Sequence, residues 1–300
     1  MAAVPFADGL QAQFETVFNT FSFLGVFSLT LVAATAHFAP SVHRSGLWFR
    51  HIIAWIVYSV SFLLLVGRQS GPAPPFGLCM VQAALIHASP TLPTLSAFCF
   101  VVDLYIGLSA VVHRKRKIRP ALSKFLLIFP TMVFTAVFLT VLLFVQDIAV
   151  VQRDAVSHLY CHITAPTPAL VSASIVICTG LFIFPLEIWI AIVLCRNWVA
   201  FRRSYESGPD PHVSLTMFIR VALFTVMSMT GVGLSSFSVG SSNSPEPYWS
   251  LVLPIVPIIA AIIFGSQQDI MKCWVFWRES ERAEPPTSVP KDTFAFANAI

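Results

Sequence analysis

The chain has 300 residues, a formal net charge of +4, and 11% charged against 56% hydrophobic residues. Its mean hydropathy of +0.78 lies outside the range of a water-soluble domain, in which charged residues make up about a quarter. A soluble globular enzyme is excluded, and the small positive charge sits at membrane borders rather than in a patch that would bind nucleic acid.

The first 13 residues carry no Lys or Arg, which suits a translocated segment and differs from the basic start of a signal peptide. Seven apolar runs follow, at about 14–38, 51–67, 78–112, 124–146, 168–195, 214–238 and 248–265. A spanning helix needs about 20 apolar residues to cross a hydrocarbon core of about 30 Å. Backbone groups facing lipid must bond within their own segment, so the runs are predicted as helices. The predicted fold is an all-α membrane protein, a seven-transmembrane-helix bundle within 14–278. An extracellular N-terminus at 1–13 and a disordered cytoplasmic tail at 279–300, polar and proline-bearing, flank it. No loop is long enough for a separate soluble domain, and no internal repeat is visible.

Basic residues set the orientation. Of 18 Lys and Arg, all but Arg68 and Arg153 fall in or beside the gaps after runs one, three, five and seven. Such residues stay on the cytoplasmic side. The N-terminus is therefore predicted outside and the C-terminus inside, in a multi-pass plasma-membrane protein. Trp48 and Trp198 mark the inner border, and Tyr248 and Trp249 the outer one.

Run three is about 35 residues, roughly 52 Å as a helix. Cys79 opens it, and Cys161 lies in the second outer loop. These two of the six cysteines fall on the predicted outer, oxidising side, where they are predicted to form a disulfide, the alternative being two free thiols. A bridge pins the loop over the bundle. Gln82 and His87 lie one to two turns below Cys79. Together with Trp249 they are candidate ligand contacts; the alternative is that they satisfy neighbouring helices. Pro90 and Pro93 predict a kink and release the carbonyls of Ile86 and Ser89.

After run seven, Ser266-Gln267-Gln268-Asp269 has the form that caps a helix start. Ile270, Cys273, Trp274 and Trp277 then recur at helical spacing. This predicts a short amphipathic surface helix at 267–278 on the inner membrane face. Cys273 is either a candidate for reversible lipidation or a free thiol in an extension of run seven.

The order of these features resembles G-protein-coupled receptors over all seven runs. Asp103-Leu104-Tyr105 stands where animal rhodopsin-type receptors carry Asp-Arg-Tyr, but Leu104 replaces the Arg. Runs six and seven lack Cys-Trp-x-Pro and Asn-Pro-x-x-Tyr. Pro93, Cys99 and Leu104-Tyr105, with the Ile263-Phe264-Gly265-Ser266 ending of run seven, are similar to fungal lipopeptide pheromone receptors. The chain departs from them at Asp103, where they carry Arg, and in its short tail. The resemblance implies a fungal-type signal transducer that senses an extracellular small-molecule or lipopeptide ligand, couples to a heterotrimeric G protein, and has no catalytic residues, cofactor or metal. Arg114, Lys115, Arg116 and Lys117 are the expected docking surface. The 27 Phe residues suit an apolar or amphipathic ligand, or simply a lipid-facing surface.

Three ionisable residues, Asp103, Glu187 and Arg220, lie about 9–15 Å into the bundle from the inner side, where isolated charge is costly. They are expected to form a salt-bridged switch that holds a closed state. The alternative is that Arg220 snorkels to the surface. A transporter or channel, the second functional reading, needs midplane charges and broken helices in paired segments. A membrane-embedded lipid-modifying enzyme needs a compact metal site. His37, His51, His87, Asp103 and His113 lack the close helical spacing for one, and His158 and His162 read as solvated loop residues.

Overall fold

A computed structural model of the protein describes residues 8–40, 42, 44–112, 120–144, 151–153, 159–196, 219–220, 222–223, 225 and 251–274. They form helices α1 (Asp8–Phe38), α2 (Gly46–Leu63), α3 (Phe76–Ala88), α4 (Thr91–Val112) and α5 (Pro120–Phe144). Two short strands, β1 (Val151–Arg153) and β2 (Cys161–Ile163), precede α6 (Pro166–Arg196), α7 (Val252–Gly265) and α8 (Gln268–Trp274). Among the described residues, five helical stretches are long and apolar enough to cross a membrane: α1, α2, α3 continued by α4, α5 and α6. The apolar α7, with 14 residues, is shorter. Of run six, Ile219, Arg220, Ala222, Leu223 and Thr225 are described, all at helical positions. Trp249, the basic cluster Arg114–Lys117 and the tail 279–300 lie outside the described residues, as does 275–278 of the predicted surface helix.

The outside of the bundle is apolar. Phe27 on α1 is 68% exposed, Met132 on α5 62%, and Phe182 on α6 67%. Such a surface suits hydrocarbon rather than water. Inside, α1 packs on α2 and α7, while α4 packs on α2, α5 and α6. Glycine makes the tightest approach possible. A Cβ on Gly25 of α1 would stand 3.2 Å from both the Pro257 side chain of α7 and the Ser59 hydroxyl of α2. Small residues at helix crossings bring backbones together in this way.

Several boundaries differ from expectation for local reasons. α2 begins at Gly46, five residues before the predicted start, because Ser45 caps it by accepting the Trp48 N–H at 3.3 Å. Run three is two helices joined at Ser89-Pro90. Proline removes a donor, and hydroxyls complete the joint. The Leu92 N–H reaches the Ser89 carbonyl at 3.3 Å. Thr91 Oγ1 donates to the Ala88 carbonyl at 2.7 Å, and Ser172 Oγ of α6 donates to the His87 carbonyl at 2.5 Å. Ser266 closes α7, donating its N–H to the Ile262 carbonyl; the first turn of α8 closes instead on the Gln267 carbonyl, 2.8 Å from the Met271 N–H. The β1–β2 hairpin has no counterpart among the predicted elements.

Candidate functional site

The segment between α5 and α6 forms a lid on the bundle tied down at four points. Cys161 is bonded to Cys79 of α3, with Cα atoms 5.3 Å apart. The Cys161 N–H donates to Gln82 Oε1 at 3.0 Å. Arg153 on β1 donates to the carbonyls of Gln69, Gly71 and Pro72 in the connection between α2 and α3. Gln69 Nε2 donates to the Leu159 carbonyl at 3.0 Å, and Gln69 exchanges two further amide hydrogen bonds with Asn19 of α1. Gly67 and Gly71, with φ of 79° and 83°, turn this connection through left-handed conformations that favour glycine. Leu159 is completely buried, and the adjacent Tyr160 packs on the bundle core.

From Tyr160 an unbroken column of rings descends through the bundle. Its ring lies 6.4 Å from Phe18, stacked, and 6.2 Å from Phe62, inclined at 74°. Phe62 meets Tyr58 at 5.1 Å, Tyr58 meets Trp55 at 5.4 Å, and Trp55 meets His51 at 6.3 Å. His51 meets Phe264 of α7 at 5.3 Å. The four α2 members are spaced by four, three and four residues, so they share one helix face. These centroid spacings and edge-on angles are those that aromatic pairs favour.

Hydrogen bonds fix the tautomer at the foot of the column. Trp55 Nε1–H donates to His51 Nε2 at 3.2 Å. That nitrogen is therefore the acceptor, so Nδ1 carries the proton and donates to Ser96 Oγ at 2.9 Å. Ser96 in turn donates to the Pro93 carbonyl at 2.8 Å. The chain of bonds ties α2 to α4.

The opposite end of the bundle, around the α7–α8 junction, is a clamp of two arginines. Arg220 donates to the Ile263 carbonyl, to Ser266 Oγ at 2.5 Å and to the Ser266 carbonyl at 2.8 Å. Carbonyls in the last turn of a helix lack intrahelical partners and carry partial negative charge, so a guanidinium satisfies them well. Arg44 pairs with Asp269 of α8 and lies 5.7 Å over the Trp48 ring. Trp274 Nε1–H of α8 donates to Thr35 Oγ1 of α1 at 2.9 Å. Gly265 admits this packing, since a Cβ there would stand 2.8 Å from Val32 and 3.4 Å from Trp274.

Of the expected switch residues, Arg220 grips the end of α7. Glu187, buried on α6, accepts a hydrogen bond from Thr225 of run six. Asp103 is half-buried on α4. Gln82 is also committed to structure. It is fully buried and donates Nε2 to the Ser61 carbonyl near the end of α2 at 3.2 Å while accepting from Cys161. His87 keeps a buried Nε2 with no hydrogen-bond partner among the described residues. Cys273 is half-buried, its thiol 3.2 Å from the Asp269 carbonyl.

Sequence reasoning missed Asn19, Gln69, Arg153, Arg44 and the ring column. The spacing of Trp55, Tyr58 and Phe62 was a visible signal for the last. The chain matches no protein-family model, and no curated protein resembles it closely enough to count as a match.

Proposed function

We propose that the chain is a G-protein-coupled-receptor-like signal transducer of the plasma membrane, with seven spanning helices, its N-terminus outside and its C-terminus inside. It senses an apolar or amphipathic extracellular ligand and acts on a heterotrimeric G protein, as the likeness to fungal receptors suggests. The observation that supports this reading best is the ring column between the disulfide-tethered lid and the end of α7 that Arg220 grips. Packed side chains with discrete arrangements carry a displacement from one end of a bundle to the other, whereas a transporter needs that axis open to its substrate.

In this reading Arg220 restrains run six by holding it to the last turn of α7, and Glu187 holds the same run through Thr225. Ligand binding under the lid shifts the column, loosens the α7 turn and frees run six. The basic cluster Arg114–Lys117 then contributes to the surface that meets the G protein, and α8 extends as an amphipathic helix on the inner face with Cys273 as its acylation site. The experiment is guanine-nucleotide exchange on purified fungal Gα subunits by the protein in proteoliposomes. Accelerated exchange is expected; a rate equal to that of empty liposomes for every Gα subunit tested would contradict the reading.

A further inference from the structure

We propose that Glu187 of α6 is a proton-binding site: its carboxyl carries a proton while run six is held, and loss of that proton to water frees run six. The inference deepens the receptor reading and rests on it for the signalling consequence, but not for the proton itself.

Glu187 is 6% exposed. Ile183, Ile190 and Leu194 share its helix face and are buried in the apolar core that α4 completes with Cys99, Val101 and Leu104. At 1.5 Å per residue, Glu187 lies about 14 Å along α6 from Arg196. One carboxyl oxygen takes the hydrogen bond from Thr225. Oε1 is buried and has no hydrogen-bond partner among the described residues. Glu187 forms no ion pair among the described residues either. An isolated ionised carboxylate in such a setting is far costlier than a neutral acid with one idle oxygen. Proton uptake removes the charge and keeps the link to run six, because the Thr225 hydroxyl still donates to the acid carbonyl.

The titratable and charged groups on the elements packed against α6 offer little compensation. On α4 they are Cys99, fully buried, and Asp103 and Tyr105, half-buried; none is a cation. On run six, the Arg220 guanidinium is engaged by the Ile263 and Ser266 carbonyls and the Ser266 hydroxyl. On α3, His87 meets α6 at Ser172, about 22 Å along the helix from Glu187. On α6 itself Cys178, Cys195 and Arg196 are exposed and about 12–14 Å along the helix. A single hydroxyl from Thr225 does not offset a full buried charge. Once ionised, the carboxylate therefore favours water, and water entering beside it parts α6 from run six.

The test is infrared spectroscopy of the full chain in detergent. At about pH 6 exposed carboxyls are ionised, because they titrate at about 4. The wild type is expected to keep the carbonyl band of a protonated carboxyl there. Glu187→Gln should lose the band and Asp103→Asn should retain it. Thr225→Val should move it to higher frequency, because the acid carbonyl loses the hydrogen bond that weakens its C=O bond. A wild type without the band, a band that survives Glu187→Gln, or one unmoved by Thr225→Val overturns the proposal. If Glu187→Gln fails to fold, wild-type protein made with glutamate isotope-labelled in the side-chain carboxyl takes its place; an unshifted band then overturns the site. In proteoliposomes, raising the pH until the band is lost should accelerate nucleotide exchange in wild type more than in Glu187→Gln, which cannot ionise; an equal response overturns the link to run six. The band without exchange at any pH removes the receptor reading and leaves the proton site, whereas exchange without the band removes only the proton site.

Discussion

Replacement of Gln82 by Leu separates a structural clamp from a ligand contact. The side chain is fully buried. Its oxygen takes the Cys161 N–H at 3.0 Å, and its nitrogen serves the Ser61 carbonyl at 3.2 Å. Leu has similar bulk and offers neither group. Stranding the buried Cys161 N–H costs about 1–3 kcal/mol, and losing the bond to α2 about 1 kcal/mol more. The sum is about 2–4 kcal/mol, which lowers the melting temperature of a protein of this size by about 5–15 °C. Thermal denaturation in detergent, followed by tryptophan fluorescence, measures it. If Gln82→Leu melts within about 1 °C of wild type but loses affinity for a ligand, the clamp is wrong and Gln82 belongs to a binding pocket.

Other perturbations follow from the same contacts. The Cys79–Cys161 bond closes a separation of 82 residues, so the double substitution to Ser is expected to cost about 4 kcal/mol and to expose the lid to limited proteolysis from outside; unchanged protease resistance would count against the tethered lid. Asp269→Asn weakens the pairing with Arg44, which frees α8 and should speed maleimide labelling of the half-buried Cys273; an unchanged rate would show that Trp274 and Thr35 hold the helix without the ion pair. His51→Phe keeps a ring in the column but leaves Ser96 and Trp55 without their partner, at an expected cost of about 1–3 kcal/mol in the same melting assay; a neutral result would remove the polar foot of the column.

How much of this was legible in the sequence varied with the kind of contact. The long apolar runs announced five helical stretches long and apolar enough to cross a membrane, because a lipid-facing backbone has few alternatives to helix. Cys79 and Cys161 were readable as a pair because the predicted topology puts no other cysteine on the outer side. Pro90 signalled the joint in run three, although not the hydroxyls of Thr91 and Ser172 that complete it. Arg220 shows the limit. Its depth and charge were evident, and two carboxylates stood at the same depth. The groups it grips are the carbonyls of Ile263 and Ser266 and one hydroxyl, and main-chain acceptors leave no mark in a sequence. Gln82 was singled out as a candidate ligand contact with neighbouring helices as the alternative, and the chain alone could not say whether protein or ligand meets it. The β1–β2 hairpin, with three residues per strand, is too short to show alternation.

The receptor account is tested most directly by loosening the inner clamp. Arg220→Gln keeps a donor but removes the charge and most of the grip on the last turn of α7. In proteoliposomes holding equal amounts of folded protein, this variant should accelerate guanine-nucleotide exchange on Gα above the wild-type basal rate without any ligand, because the closed state alone contains the clamp. Exchange that is equally silent in wild type and variant, with both correctly folded and oriented, would contradict the account.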